Sequence, residues 1–187
     1  MAATAVAAAL LLGGCARSER PTLTGPNTDL TITIPDGWHQ VVNTANPVIP
    51  EIVSPTTCRG AAEVSCALGL ARTATFPAGS LEEAVDVVRD SVIDDTRLTE
   101  VADVSKGPGK VGTADGYRYR FTFRNPQAKL TSEVAALPSG PGTADANGNR
   151  QYSVILVWMS DKPGAPKVNA IDEIVGSARL GGEPQKK

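Results

Sequence analysis

Residues 152–159 read YSVILVWM: no charge, and large apolar groups on both parities of the run. A strand that alternates polar and apolar buries one face, whereas one that is apolar on both faces needs cover on both. A chain carrying this segment must therefore stack layers on either side of a sheet. Residues 116–124 add a second constraint. Tyr117, Tyr119, Phe121 and Phe123 point one way, and Arg118, Arg120, Thr122 and Arg124 the other. That alternation makes a strand with one apolar and one cationic face.

The remaining segments follow from periodicity and punctuation. Residues 30–34 (LTITI) alternate and read as a half-buried strand, closed by the turn former Pro35-Asp36-Gly37 ahead of Trp38. Residues 43–57 hold Pro47, Pro50 and Pro55 and read as a loop, and residues 67–75 as a second strand. Ser80-Leu81-Glu82-Glu83 has the form of a capping box. Leu81, Ala84, Val85, Val88 and Val92 then form one helical stripe. Residues 98–105 read as a strand, Lys106-Gly107-Pro108-Gly109-Lys110 as a turn, residues 130–137 as a strand, and residues 138–148 as a hairpin tip. A last helix is expected with Pro166 at its first position, a stripe of Val168, Ile171, Ile174, Val175 and Ala178, and a stop at Gly181-Gly182. Successive strands joined by turns pair antiparallel. The expected class is α+β: an α/β/α sandwich with a mostly antiparallel sheet and helices on both faces.

Charge and composition bound the chemistry. The net charge is −2, without the basic excess that neutralises phosphates, so no nucleic-acid partner is expected. One His and three Cys in 187 residues leave little material for a metal centre or His-dependent catalysis. A Ser-His-Asp triad would have to use His39, and neither GxSxG nor SxxK occurs. His39, beside Trp38, reads as a surface or half-buried residue next to an aromatic anchor. Glu82-Glu83 and Asp94-Asp95 read as charge at helix ends. Residues 145–149 (DANGN) lack the spacing and closing Glu of a calcium loop and read as a turn. No catalytic residue, metal or cofactor is assigned, and the expectation is a protein that is not an enzyme. Arg118, Arg120 and Arg124 are the candidate anionic contact, for a lipid headgroup, a phosphate or an acidic partner. The bland reading of that row is a solvated sheet face.

The first fourteen residues are apolar and uncharged. That is shorter than the about 20 apolar residues of a membrane-spanning helix and fits the core of a signal peptide. The run ends in Leu12-Gly13-Gly14-Cys15, which resembles the lipobox of bacterial lipoproteins. The resemblance implies cleavage before Cys15, acylation of its thiol, and residence at the cell membrane on its extracytoplasmic face. The alternative is a signal or buried segment with an incidental Cys. Buried acyl chain gives about 0.8 kcal/mol per CH₂, so two or three chains anchor durably. Residues 15–28, polar and with Pro21 and Pro26, read as the lipidated Cys and a flexible tether spanning roughly 20 Å. Residues 29–182 form one globular domain and residues 183–187 a loose tail.

Cys58 and Cys66 are the remaining cysteines. Outside the cytosol such a pair oxidises, and with Cys15 acylated the count is even. A disulfide is expected, closing a small loop that stabilises by roughly 2–3 kcal/mol. The alternative, a metal or redox pair, lacks the CxxC spacing.

The lipobox, the polar segment after it, Pro35-x-Gly37-Trp38, a mid-chain helix, a run of strands and a C-terminal helix together resemble small secreted lipoproteins of actinobacteria. Their domain is a PsbP-like (LpqN-type) α/β/α sandwich, and the likeness in element order covers roughly residues 28–181. It implies a binding or accessory role in the envelope without carrying over any catalytic residue. The Cys58 and Cys66 pair lies outside that pattern and suggests a subfamily. The expected partners are the membrane, through the lipid anchor, and an envelope protein or an amphiphilic ligand. The alternatives are an envelope hydrolase with an unrecognised active site and a purely structural spacer or sensor.

Overall fold

The structure, a computed structural model, describes residues 20–25, 28–41, 51–55, 66–94, 97–139 and 148–181. In chain order the elements are β1 (Thr22–Thr24), β2 (Leu30–Thr33), β3 (His39–Val41), β4 (Glu51–Val53), β5 (Gly69–Ala78), α1 (Leu81–Ile93), β6 (Thr99–Val111), β7 (Ala114–Arg124), β8 (Lys129–Pro138), β9 (Arg150–Ser160), α2 (Asn169–Gly176) and β10 (Arg179–Leu180). Seven strands form one sheet in the order β3-β4-β5-β9-β8-β7-β6, and β1, β2 and β10 form a small second sheet. Every pairing is antiparallel. The fold is thus α+β and mostly antiparallel, as expected.

The strand that is apolar on both faces is central. β9 lies between β5 and β8 from Tyr152 to Met159. Its side chains divide by parity. Tyr152, Val154 and Leu156 join Val134, Ala136, the Tyr119–Phe121–Phe123 row, and Ala84, Val85 and Val88 of α1 in one core cluster. Ile155, Val157 and Met159 join Ala135, Leu137, the β1–β2 residues Leu23, Leu30 and Ile32, and Ile171, Ile174 and Val175 of α2 in another. The aromatic row stacks along its strand, with Phe121 edge-on to Tyr119 and stacked with Phe123.

Helix α1 starts where the capping box places it. The Ser80 hydroxyl accepts from the Glu83 amide at 3.1 Å. The Glu83 carboxylate reaches back to the Gly79 amide at 2.8 Å, one residue before the usual partner. The turn after β2 also forms as read, with the Trp38 amide bonded to the Pro35 carbonyl and Gly37 at φ 79°.

Four expectations are corrected. Residues 106–110 are not a turn. They continue β6, which runs to Val111, and the hairpin closes at Gly112-Thr113, with Gly112 at φ 59°. Pro108 is tolerated because β6 is the outer strand of the sheet, where its missing amide faces no partner. β6 is also bulged between Thr99 and Ala102 and between Asp103 and Ser105. Glu100 there takes φ 52°. The proline-rich stretch 43–57 contains β4, whose Glu51, Ile52 and Val53 are all buried. The expected tether holds β1, because Leu23 is 1% exposed in the core and pairs across from Ile32. Helix α2 begins at Asn169, not at Pro166, and Val168 is exposed. It ends at Gly176, before β10 and well before Gly181-Gly182. The hairpin tip lies mostly outside the described residues, but the β8–β9 ladder reaching Pro138 opposite Tyr152 shows the hairpin itself.

Candidate functional site

The cationic face of β7 is where the sequence put its candidate site, and the structure gives each arginine a carboxylate. Arg120 stands directly opposite Glu133 on β8, and Arg118 is opposite Ala135, so Glu133 sits between the two guanidinium groups. Glu133 accepts from Arg118 Nε and, at 2.6 Å, from Arg120 Nε. From above, α2 brings Asp172, whose Oδ1 accepts from Nη2 of both arginines at 2.7 Å. Arg124, further along the strand, pairs with Glu100 of β6 at 3.0 Å. The three arginines share one face as read, but Arg118 and Arg120 lie partly covered beneath α2, and their anions come from the chain itself.

This network has a definite electrostatic state. Glu133 is 1% exposed, and a buried carboxylate is sustained only by charge partners and hydrogen bonds. Burial alone would raise the Asp172 carboxyl. The hydrogen bonds and charges of Arg120 and Arg118 outweigh that and hold it below the usual carboxylate range. Glu133 and Asp172 were not singled out from sequence. The available signal was a lone Glu in the otherwise uncharged stretch LTSEVAALP of β8.

A second cluster covers the aromatic row. Lys106 of β6 binds Glu82 and Asp86 of α1, both at 2.9 Å, and lies over the Tyr119 ring. Hydrogen bonds donated to Glu82 and Asp86 hold its ammonium well above the ordinary lysine range. Arg89 lies 5.4 Å from the Tyr119 centroid and 5.8 Å from that of Phe121, and pairs with Asp90 and Asp103. Arg89 thus caps the aromatic core from α1. Glu82 does more than complement the helix dipole.

Beside α1 the sheet is less covered. β4 borders only residues 70–72 of the ten-residue β5. Along β5, Arg72, Ala74 and Phe76 are half-buried and, with Val154 and Leu156 of β9 and Val88 and Ser91 of α1, line a small open cleft of about 40 Å³. The cleft is largely apolar, with one guanidinium and one hydroxyl. Arg72 is drawn toward the buried Glu51 across the ladder, at 3.6 Å.

The other candidates fall as follows. His39 is exposed on β3. Cys66 is half-buried just ahead of β5, while Cys15, Cys58 and the residues of the lipobox lie outside the described residues. Among the described residues no cluster of His, Cys, Asp and Glu has the makings of a metal site. None of their helices is long and apolar enough to cross a membrane.

No family model and no curated protein matches the sequence. Solved structures do. One is a protein of Bacteroides thetaiotaomicron at 11% identity and TM-score 0.49, with 91% of this chain and 51% of that one covered. This chain thus spans about half the length of that relative. Another is LpqN, involved in cell envelope biogenesis of Mycobacterium tuberculosis, again at 11% identity and TM-score 0.49, with 86% of this chain and 90% of that one covered.

Proposed function

We propose that the chain is a lipoprotein anchored through Cys15 on the extracytoplasmic face of the cell membrane, acting there as a binding or accessory domain of the envelope. The observation that carries this is the order Leu12-Gly13-Gly14-Cys15, directly after an uncharged apolar run and five residues ahead of Arg20, where the folded body is under way. The two parity-sorted core clusters support an α/β/α sandwich in which α1 and α2 lie on opposite faces of the large sheet. Such a body offers the small, largely apolar cleft at Arg72, Ala74 and Phe76 as the contact for a single apolar side chain of a partner or the end of an amphiphile. A disulfide between Cys58 and Cys66 belongs to the same reading.

Intact mass analysis of the protein from native membranes tests the anchor. The expected result is an acylated N-terminal Cys15 and loss of residues 1–14, with both features lost in Cys15→Ala. An uncut leader or a free thiol at Cys15 would overturn the assignment. Crosslinking in intact envelopes, read with wild type and with Ala74→Trp to fill the cleft, tests the binding role. Recovery of the same partners at the same yield from both would remove the cleft from it.

A further inference from the structure

The end of α1 is charged against its own helix. Residues 81–94 carry five carboxylates and one cation. Lys106 takes up Glu82 and Asp86, and Arg89 is divided between Asp90 and Asp103. Asp94, the C-cap, is exposed and has no ion pair among the described residues. No basic residue stands in the last turn. The unpaired carbonyls of a helix C-terminus already carry negative partial charge, so carboxylates there cost stability instead of adding it. Two depressions meet at Ser91. One is the small apolar cleft, and the other, wider and shallower, is lined by Asp90, Ser91, Ile93 and Asp94. Val87, 48% exposed, stands one turn before Ser91 on the same side of the helix, and Glu83 one turn before Val87.

We propose that this seam between α1 and β5 takes a basic segment of a partner protein: one apolar side chain enters the cleft against Phe76 and Val87, and a Lys or Arg beside it reaches Asp90 and Asp94. The inference rests on the binding role given to the cleft above and names the chemistry of its partner. A cleft of about 40 Å³ admits no more than the end of one side chain, so apolar contact discriminates little there and charge sets the choice. Val87 and Asp94 are about 10 Å apart along the helix axis. An extended segment advances about 3.3 Å per residue, which places its cation within about four residues of its apolar anchor. Arg72, the one cation of the cleft, is drawn toward Glu51. An anionic headgroup or an acidic segment is repelled by Asp90 and Asp94, and a neutral amphiphile fills the cleft but leaves Asp94 unmatched.

The test is photocrosslinking in intact envelopes from a benzophenone side chain placed at Val87 of the full chain, with the exposed Thr22, Val104 and Val168 as control positions, and sequencing of the crosslinked peptides. From Val87 the peptides are expected to come from another protein and to carry Lys or Arg within about four residues of the crosslinked site. Their yield is expected to fall roughly threefold or more in Asp90→Asn/Asp94→Asn, with crosslinks from the control positions unchanged. The melting temperature of that double variant is expected to equal or exceed that of wild type, because the substitutions relieve the helix dipole. A lower melting temperature shows that the carboxylates serve the fold and overturns the proposal. An undiminished yield in the double variant, or peptides without a nearby cation, overturns the basic segment. Crosslinks to lipid or to a second copy of this chain overturn the partner protein. Capture from the control positions but not from Val87 overturns the seam and leaves the binding role standing, whereas capture from no position overturns the binding role itself.

Discussion

Glu133 accepts a hydrogen bond from Arg120 Nε at 2.6 Å while its side chain is 1% exposed. Removing that carboxylate leaves Arg118 and Arg120 facing each other under α2 with only Asp172 between them. Breaking a buried pair by deleting one partner costs about 3–5 kcal/mol. The arginines here retain some solvent, which brings the expected loss for Glu133→Ala to about 2–3 kcal/mol. The urea midpoint measures it, and a loss under about 1 kcal/mol would show that the network does not hold α2 to the sheet.

Asp172 gives the network an acid limb. Its carboxyl is held below its unfolded value, so the stability it adds is present above about pH 4 and disappears as pH falls through the folded pKa. Because its side chain is 52% exposed, the contribution is at most about 1 kcal/mol. Thermal melts of wild type and Asp172→Asn are expected to differ at pH 6 and to draw together as pH falls below about 4. Parallel curves across that range would contradict the assignment.

Gly112 closes the β6–β7 hairpin at φ 59°, and a Cβ there would lie 1.9 Å from the Ala178 carbonyl oxygen. Its amide also donates to Val175 at 2.9 Å, tying the hairpin to the end of α2. Gly112→Ala meets both left-handed strain and backbone overlap, and a destabilisation of about 3 kcal/mol or more is expected. A melting temperature within two or three degrees of wild type, on the order of a change below 1 kcal/mol, would rule out this packing.

Alkylation under denaturing, non-reducing conditions checks the cysteine pairing. Protein from the envelope is expected to leave Cys58 and Cys66 unmodified until a reductant is added. Cys58→Ala is expected to expose Cys66 to the reagent and to lower stability by about 2–3 kcal/mol.

Local pattern made some of this fold readable. β9, the two-faced β7 and the capped start of α1 each have their cause within about ten residues, and each forms as read. The errors arose where a distant element decides. Gly107-Pro108-Gly109 carries every mark of a turn, yet the position of β6 at the sheet edge makes the proline harmless. β1 and β4 are three residues each, too short to show a period, and Leu23 is buried only because β2 lies beside it. The arginine row was visible as a cationic face. Its anions lie 13 and 52 residues away from Arg120, and only the folded sheet and α2 bring them together.

The kinked course of β6 sets how neighbouring molecules meet. A straight outer strand is a zipper half, offering a second copy a continuous row of amides and carbonyls. Here two bulges, the φ of Glu100 and Pro108 interrupt that row, so copies cannot fuse through this border into one continuous ribbon. However densely they crowd a surface, molecules approaching along that border meet as separate bodies, through side chains.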